Sequence, residues 1–351
     1  MENKILEEDF KYVVENTDIW SELKNSSIFL TGGTGFFGTW FLKTFLYANR
    51  VLSLNSSICV LSRNPEAFLQ KHRELDVKEI AFIKGDIKTF EFIEEKFSYI
   101  IHASTTNAQE TFDKIDPLES FETIVNGTKR VLDFALHCGA KKILLTSSGS
   151  IYGKSSANGK LFEEEEFSNF NSLDLNSTIS QAKAISEFYA SYYAKKYALE
   201  IKIARCFAFV GPFLQLDIHY AVGNFIKGAI EEKKIVINGD GTPVRSYMYV
   251  SDLMVWLWSI LIKGESCRPY NVGSQNTLSM RELANIVGEC FDEEIKIEVL
   301  GEKNVSTNSA QNIYAPSTKR AQKELGLQER ITLKDALKKT INFIQREPQC
   351  L

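Results

Sequence analysis

Residues 28–38 read Ile28-Phe29-Leu30-Thr31-Gly32-Gly33-Thr34-Gly35-Phe36-Phe37-Gly38. A short apolar run ends at a glycine cluster, and a helix-like segment at residues 39–47 follows it. Glycines allow sharp turns and close approach of a ligand, while the N-terminus of a helix attracts anions through free N–H groups and its dipole. With its G-x-x-G-x-x-G spacing, the stretch predicts a strand, a phosphate-binding loop and a helix that together bind a dinucleotide.

Short apolar runs and helix-like segments alternate after this loop. The runs lie at residues 57–61, 79–83, 99–102, 142–146 and 200–207, and the longer helical segments at 115–139 and 180–197. Such alternation predicts a Rossmann-type α/β fold, a doubly wound parallel sheet with helices on both faces. Ligands bind at the carboxyl ends of the strands in such sheets, and the glycine loop, Arg63, Ser104 and Ser148 all follow strands. We therefore expect one site at that edge.

The end of the second strand bears on the choice of cofactor. An acidic residue there binds the ribose 2′-hydroxyl of NAD, whereas an arginine accommodates the 2′-phosphate of NADP. Here the strand ends at Ser62 and Arg63. The sequence favours NADP over NAD.

Composition excludes several classes of protein. The 41 basic and 45 acidic residues give a net charge of −4, and no basic stripe interleaved with aromatics suggests nucleic acid as a partner. The six cysteines and four histidines lack metal-ligand or disulfide-framework spacing, so no metal is expected. The most apolar run, residues 253–262, is shorter than the roughly twenty residues of a membrane span. The acidic amino terminus has no signal-peptide pattern, which indicates a cytoplasmic protein without a membrane partner.

The chain divides into three parts. Residues 1–25 predict a helical extension that packs ahead of the first strand. We assign the dinucleotide-binding domain to residues 26–207 plus about 240–268. A smaller mixed α/β C-terminal substrate subdomain takes about 208–239 and 269–351. The acidic run at residues 163–166 lies between the predicted strand at 142–146 and the predicted helix at 180–197. We interpret it as a solvated face rather than as catalytic groups.

From about residue 26 onward, the order of motifs resembles the extended short-chain dehydrogenase/reductase family. This family includes nucleotide-sugar epimerases, dehydratases and reductases. The motifs that carry the resemblance are the glycine loop, Gly85-Asp86, His102-Ala103, Asn126-Gly127-Thr128, Ser147-Ser148 with Tyr152-Gly153, Lys183, Arg205 with Gly211-Pro212, Gly239-Asp240-Gly241, Arg245 with Tyr249-Val250-Ser251-Asp252, and Asn271-Val272-Gly273.

The resemblance implies roles for individual positions. Asp86 would contact the adenine of the cofactor, and Ser148 would hydrogen-bond the reacting sugar oxygen. Lys183 would hold the nicotinamide ribose and supply positive charge, while Arg245 would grip the diphosphate, which suits its planar fork of donors. The implied cofactor site comprises Thr31, Gly32, Gly35, Phe36, Phe37, Gly38, Ser62, Arg63, Asp86, Ile87, Ala103, Ser104, Thr105, Asn126 and Lys183.

One departure from the family concerns the proton carrier. The family's catalytic tyrosine stands four residues before the lysine, one helical turn away, and here that position is Ile179. Isoleucine cannot carry a proton. Three explanations stay open: another proton carrier (Lys183, Cys206, His219 or a water held by Ser148), binding with little turnover, or an introduced mutation. We give Tyr152 only a small chance of substituting.

Further departures concern the substrate. Where the family's 4,6-dehydratases carry an acidic pair, this chain has Gly149 and Ser150, which disfavours that reaction. The asparagine that usually precedes Gly-Pro is Ala208. The segment 312–317 lacks the second diphosphate-binding arginine of many relatives, which leaves Arg245 as the main candidate. The expected substrate site comprises Ser148, Ser150, Ala208, His219, Asn224 and Arg245.

Three functions remain compatible with the sequence. The first is an NAD(P)-dependent epimerase or oxidoreductase that moves a hydride at a nucleotide-sugar carbon, which we expect to be C4. By analogy with the family, two helices near residues 115–138 and 180–197 would pair in a homodimer. The second is a cofactor-binding scaffold or sensor with little catalysis. The third is an NADPH-dependent reductase of a small carbonyl compound.

Overall fold

A computed structural model describes residues 4–105, 116–153, 160–216, 220–301 and 312–347. The strands are β1 (Ser27–Thr31), β2 (Ser57–Ser62), β3 (Ile80–Lys84), β4 (Tyr99–His102), β5 (Lys142–Ser148), β6 (Glu200–Cys206), β7 (Phe209–Val210), β8 (Lys234–Ile237), β9 (Val244–Arg245), β10 (Met248–Tyr249), β11 (Pro269–Val272), β12 (Leu278–Ser279), β13 (Lys296–Val299) and β14 (Ile313–Tyr314). The α-helices are α1 (Lys4–Glu15), α2 (Phe36–Val51), α3 (Pro65–Lys71), α4 (Pro117–Cys138), α5 (Thr178–Tyr197), α6 (Ala221–Glu232), α7 (Val250–Lys263), α8 (Met280–Gly288), α9 (Lys319–Leu325) and α10 (Leu333–Arg346).

Seven strands form one parallel sheet in the order β11-β6-β5-β4-β1-β2-β3. Neighbouring strands are in register at their carboxyl ends, where Thr31 lies beside Leu61 and His102, and Ser148 lies beside Cys206. From the adjacent central strands β1 and β4, the chain adds β2 and β3 on one side of the sheet and β5, β6 and β11 on the other. The predicted doubly wound Rossmann-type fold is confirmed.

Helices cover both faces of this sheet because alternate residues of a strand point to opposite sides. In β1, Ile28 and Leu30 lie in an apolar cluster with residues of α2 and α7. Phe29 lies in a second cluster, with Phe134 of α4 and Ala190 of α5. Within the described ranges, none of the helices combines the length and the apolar character needed to cross a lipid bilayer.

The smaller part of the molecule contains three short sheets. β9 lies between β12 and β14, β13 pairs with β8, and β7 pairs with β10. The predicted domain bounds need correction at two places. Residues 269–272, assigned to the substrate subdomain, form β11 at the edge of the large sheet, because they pair in parallel with β6. Residues 244–245, assigned to the dinucleotide-binding domain, form β9 of a small sheet.

The N-terminal helix α1 is attached by buried polar contacts as well as by apolar packing. Val13 is fully buried, and Phe10 packs edge-on against the Trp40 ring at 5.5 Å. The Tyr12 hydroxyl donates to Asp252 of α7 at 2.6 Å, while buried Asp9 accepts from Tyr249 and pairs with Lys339. The extension thus joins residues from three distant segments.

The acidic run is not simply a solvated face. Glu164 is 8% exposed and accepts a hydrogen bond from the Asn271 backbone N–H at 2.9 Å. Burial raises the pKa of the Glu164 carboxyl, while the nearby guanidinium groups of Arg320 and Arg205 act in the opposite direction. The surface interpretation was wrong for this residue because its partners come from β11 and α9, which lie far along the chain.

Candidate active site

The glycine loop has space for a ligand and no space for side chains. Gly32 has φ +74°, and a Cβ there would lie 2.6 Å from the Ala103 carbonyl group. A Cβ on Gly38 would lie 2.2 Å from the Gly32 carbonyl oxygen, so the first turn of α2 packs directly on the loop. At Gly35 a Cβ would approach just one described atom within 4 Å, the Gly32 oxygen at 3.5 Å. The loop backbone is therefore closely packed at Gly32 and Gly38, whereas the space beside Gly35 is left open. A pyrophosphate requires such an open space next to the backbone.

The start of α2 suits an anion. Gly35 is the N-cap and no side chain of the described residues caps the helix, so N–H groups of its first turn lack side-chain acceptors. The partly buried rings of Phe36 and Phe37 stand at this terminus, and Phe37 packs edge-on against Phe209 at 5.3 Å. These residues fit the pyrophosphate of a dinucleotide.

A chain of hydroxyl and imidazole groups supports the loop from behind. The Thr31 hydroxyl pairs with His102 Nδ1 at 2.7 Å, and His102 Nε2 pairs with the Thr128 hydroxyl at 3.1 Å. Burial lowers the pKa of His102 to about 3, so the ring is neutral. The fully buried Thr31 hydroxyl also accepts from Ser104 N–H at 3.4 Å. Thr31, predicted as a cofactor contact, positions the loop with its side chain.

The remaining predicted cofactor residues surround the carboxyl ends of β1 to β4. Arg63 is exposed directly after buried Ser62. The Asp86 carboxylate accepts from the Lys88 N–H at 2.8 Å, while Ile87 is buried against Gly127 of α4. Three further predicted contacts lie nearby in the chain: Ala103 is partly buried, whereas Thr105 and Asn126 are exposed.

The residues that the sequence predicts to contact the reacting sugar lie at the end of β5. Ser148 is half-buried, and its hydroxyl accepts from the Ser150 N–H at 3.1 Å. The Ser150 hydroxyl itself is buried without a hydrogen-bond partner among the described residues, so it could accept a ligand group. Lys183 projects from α5 and donates to the Thr146 carbonyl at 2.8 Å. Burial lowers the pKa of Lys183 to about 8, and the neighbouring Cys206 and Glu187 oppose that shift.

Apolar side chains surround Ile179, the residue that the sequence predicts to stand in place of the family's tyrosine. Ile179 packs with Ile124, Val125 and Phe121 of α4. Tyr152 does not replace it, because its hydroxyl donates to Asn271 Oδ1 at 2.7 Å and accepts from Arg205 at 2.9 Å. Arg205 in turn pairs with Glu187, with 2.7 Å between Nη2 and Oε2. Tyr152 thus belongs to a buried structural network.

Arg245 and Tyr314 approach from the small sheet. They are paired in register on β9 and β14, and the Arg245 guanidinium lies over the Tyr314 ring at 5.7 Å. Arg245 donates to backbone oxygens of Val244 and Asn312 at 2.8 and 2.9 Å, and no carboxylate in the described part of the chain pairs with it. The Tyr314 ring packs against Phe207 at 4.9 Å between centroids, and Cys206, the residue before Phe207, lies beside Ser148 in the sheet. Burial raises the Tyr314 pKa, which Ser148 and Arg245 act to lower.

Tyr314 was missed by sequence reasoning, which considered only the missing arginine in the segment 312–317. The tyrosine within that segment received no role. The available signal was that Tyr314 carries a hydroxyl and lies in a segment expected to border the diphosphate site. Only the pairing of β14 with β9 shows that this tyrosine lies beside Arg245.

A cavity of about 220 Å³ lies farther out in the small subdomain. It is lined by Asn224 and Phe225 of α6, by Val236 of β8, and by Gly241 and Pro243 of the following loop. Pro243 is two residues from Arg245. Ala208, another predicted contact, is partly buried and its carbonyl accepts from the Met248 N–H at 3.1 Å. His219 lies outside the described residues.

Comparisons with known proteins agree with these features. Residues 28–273 match the model of the NAD dependent epimerase/dehydratase family. UDP-glucuronic acid decarboxylase 6 of Arabidopsis thaliana is 28% identical over 315 residues, which cover 89% of this chain and 87% of the relative.

Solved structures show the same fold. UDP-glucose 4-epimerase from Thermotoga maritima, solved with UDP-glucose, gives a TM-score of 0.75 at 21% identity, covering 92% of this chain and 99% of the other. dTDP-glucose 4,6-dehydratase from Bacillus anthracis, solved with NAD, gives 0.75 at 22% identity, covering 93% and 98%.

Proposed function

This chain belongs to the NAD-dependent epimerase/dehydratase family, and we propose that it is an epimerase or oxidoreductase that moves a hydride at C4 of a nucleotide-diphosphate sugar. Two observations carry the proposal: the glycine loop at the uncapped start of α2, and an arginine close to a cavity in the small subdomain. The cavity is lined by Pro243, two residues before Arg245, and the Arg245 guanidinium lies over the Tyr314 ring. The loop would hold the dinucleotide, and the cavity and Arg245 would hold the base and the diphosphate of such a substrate.

The outer part of the cleft would hold the nucleotide. A cavity of about 220 Å³ lined by Phe225, Val236 and Pro243 offers apolar contact for a base, and Asn224 at its rim offers an amide for hydrogen bonding. Arg245 then presents a guanidinium whose backbone contacts are made through Nη1, so other donors can reach a diphosphate. Burial lowers the pKa of Arg245 but leaves it charged at neutral pH.

The inner part of the cleft would hold the reacting sugar. Bound nicotinamide would accept or supply the hydride. The Ser148 hydroxyl would hold the sugar oxygen, and the unpartnered Ser150 hydroxyl would bind a neighbouring polar group. Lys183, whose ammonium lies beside the Thr146 carbonyl, would hold the nicotinamide ribose and add positive charge to the site.

The cofactor preference rests on the end of β2. Arg63 stands exposed there, directly after the strand, and Ser62 is turned inward to accept from the Asn64 N–H at 3.3 Å. A positive charge at this position favours the 2′-phosphate of NADP. We therefore propose NADP as the preferred cofactor, with NAD as the alternative that the solved dehydratase contains.

The two residues after Ser148 narrow the reaction class. Gly149 and Ser150 carry no carboxylate, so the acidic pair expected for a 4,6-dehydratase is missing at these positions. The comparisons do not support excluding dehydratase-like chemistry, since decarboxylases and a dehydratase are among the similar proteins. Epimerisation or net oxidation and reduction at C4 is the reaction that we propose from the residues themselves.

A homodimer is supported by one face of α5. Ile185, Phe188 and Tyr192 are all exposed on this helix, at spacings of three and four residues. Helix α5 packs beside α4, which exposes Leu118. Large apolar side chains that share a helix face favour contact with a second copy. Size-exclusion chromatography with light scattering tests this arrangement.

Ligand-dependent stability tests the proposed function. Thermal unfolding is measured with NADP, NAD and a panel of UDP, dTDP, GDP and CDP sugars, beginning with UDP-glucose and UDP-glucuronic acid. A ligand at 100 times its dissociation constant stabilises a protein by about 2.7 kcal/mol. We expect stabilisation by a cofactor and by at least one nucleotide sugar, followed by conversion of that sugar. Stabilisation by cofactor alone would contradict the proposal and favour a small carbonyl substrate.

A further inference from the structure

We infer that Glu187 of α5 is a positioning residue of the candidate active site, because its carboxylate joins the helix that carries Lys183 to the strand that ends in Ser148. The inference rests on the proposed function, in which these two residues hold the nicotinamide ribose and the reacting sugar oxygen. Glu187 acts through them and is not itself placed against a ligand. Its task is to keep the two side chains at a fixed separation.

Helix α5 is hydrogen-bonded to β5 at two consecutive residues of the strand. The Lys183 ammonium donates to the Thr146 carbonyl at 2.8 Å. The Glu187 carboxylate, one helical turn later on the same face, accepts from the Ser147 hydroxyl at 2.6 Å. The next residue of the strand is Ser148, so both bonds lie within two residues of the proposed sugar-binding hydroxyl. Together they restrict sliding and rotation of α5 relative to β5.

Arg205 fixes the orientation of the Glu187 carboxylate. Arg205 Nε donates to Glu187 Oε1 at 3.0 Å and Nη2 donates to Oε2 at 2.7 Å, which makes the pair bidentate. Ser147 and Arg205 are partners in register on β5 and β6, so both side chains reach the carboxylate from one face of the sheet. The side chains of Arg205 and Glu187 are 11% and 12% exposed, and water therefore competes little for these bonds.

Arg205 also holds the segment that follows Ser148. Its Nη1 donates to the Tyr152 hydroxyl at 2.9 Å and to the Glu164 carbonyl at 3.1 Å. Ser148 therefore lies between two anchored residues, one before it and one after it. The anchor before it depends on Glu187, which receives the hydroxyl of that residue.

Loss of this anchor should affect turnover more than affinity. The partners of Glu187 are Ser147 and Arg205, and neither residue lines the cavity beside Pro243 that would hold the base. The reacting sugar oxygen, in contrast, would be held by the residue next to Ser147. A displacement of about 1 Å at a reacting group can lower a rate about 10²-fold.

Ser147→Ala is the most direct test, because it removes the hydroxyl and leaves the pair of Glu187 and Arg205 in place. The matched control is Ser56→Ala. Ser56 is also a buried serine, but its hydroxyl donates to the Leu23 carbonyl just before β2 begins, at the edge of the sheet opposite the site. Both variants are compared with the wild type in thermal unfolding, NADP titration and steady-state kinetics.

The kinetics use UDP-glucose, UDP-glucuronic acid or whichever other sugar of the panel the wild type converts. We expect the kcat of Ser147→Ala to fall about 10- to 100-fold, because its proposed effect is a small displacement of a reacting group. KM for the sugar and the dissociation constant of NADP should change by less than about twofold, as for an interaction that acts only in the transition state. Ser56→Ala should leave kcat unchanged.

Glu187→Gln provides a second variant, which keeps the shape of the side chain and removes its charge. Its control is Glu324→Gln, since Glu324 accepts from Arg268 Nε at 2.8 Å and from the Tyr270 hydroxyl at 3.2 Å. We expect Glu187→Gln to lower kcat at least as much as Ser147→Ala, and Glu324→Gln to leave it unchanged. The two active-site changes should be non-additive, because both disturb one hydrogen bond. If Glu187→Gln does not fold, Ser147→Ala decides the question.

The possible outcomes separate this inference from the proposed function. A lower kcat in Ser147→Ala, with unchanged KM and normal NADP binding, would support the role of Glu187. Wild-type kcat in Ser147→Ala, or equal losses of kcat in Ser147→Ala and Ser56→Ala, would overturn that role while the proposed function stands. A wild-type protein that binds NADP but converts no nucleotide sugar would refute the proposed function, and the role of Glu187 with it.

Discussion

The two walls of the cleft are assembled differently. On the cofactor wall, Gly32, Gly35 and Gly38 belong to one short segment, and their backbone geometry alone makes room for a ligand. On the proposed substrate wall, Arg245 and Tyr314 come from separate segments that are joined by the pairing of β9 with β14, and Ser148 ends β5 of the large sheet. The proposed cofactor wall therefore depends on one local motif, whereas the proposed substrate wall depends on contacts between distant segments.

The largest effect is expected on the cofactor wall, from Gly32→Ala. Its matched control is Gly139→Ala: the two glycines have φ +74° and +72°, but a Cβ meets the Ala103 backbone at 2.6 Å only at Gly32. The left-handed conformation costs either variant about 1–2 kcal/mol. The clash should cost Gly32→Ala a further 1–3 kcal/mol or so, and should weaken cofactor binding as well.

Thermal unfolding and cofactor titration measure both effects. Gly139→Ala should bind NADP normally, and both variants should bind the nucleotide sugar if the walls act separately. Equal loss of stability and normal cofactor binding in both variants would show that the loop can rearrange, which contradicts a rigid cofactor wall.

The next effect concerns Arg245 on the substrate wall. Arg245→Ala should weaken binding of the UDP sugar about 10- to 100-fold, because a hydrogen bond to a charged group contributes about 1.5–3 kcal/mol. Arg245→Lys should recover part of the loss, since it keeps the charge but not the planar fork. Isothermal titration with the sugar and with NADP gives both affinities. A larger loss of affinity for NADP than for the sugar would contradict the assignment of Arg245 to substrate binding.

A smaller effect is expected from Arg63, which is exposed at the end of β2. Arg63→Ala should weaken NADP about tenfold and leave NAD nearly unchanged, because only NADP carries the 2′-phosphate. Fluorescence titration with both cofactors checks the ratio of affinities. An equal change for NAD and NADP would refute the assignment.

The smallest effect is a pH dependence of stability that reports on the long-range contacts of the smaller part. Glu329 accepts from Ser274 at 2.8 Å, and burial raises its pKa to about 7 from an ordinary value of 4.5. Between about pH 4.5 and 7 the folded protein holds a proton that the unfolded chain has released. The contribution of this group is therefore complete at low pH, and stability falls as pH rises through that window.

Glu329→Gln keeps an acceptor but cannot titrate. We expect its melting temperature to vary less with pH over the same window than that of the wild type. Differential scanning calorimetry at several pH values checks this expectation. Parallel profiles for the two proteins would show that the carboxyl is solvated and that the nearby Asp252 carboxylate does not influence it.

Prediction from sequence succeeded where the signal was local or where backbone geometry repeats. The apolar runs predicted the strands of the parallel sheet, and the glycine pattern predicted the tight turn between β1 and α2. It was wrong for Glu164, whose burial depends on Asn271 and Arg320, and it missed Tyr314. The domain bounds were displaced at β11 and β9 because a short strand can join either of two sheets, and only pairing decides which one.

The sequence by itself determined the parallel sheet and the tight glycine turn between β1 and α2, because strand alternation and glycine geometry are encoded in adjacent residues. It also predicted that Ile179 stands where the family carries its tyrosine. The tertiary structure decided which residues surround Arg245, since pairing of β14 with β9 places Tyr314 beneath its guanidinium. These neighbours depend on contacts between segments far apart in the chain, which no pattern of adjacent residues encodes.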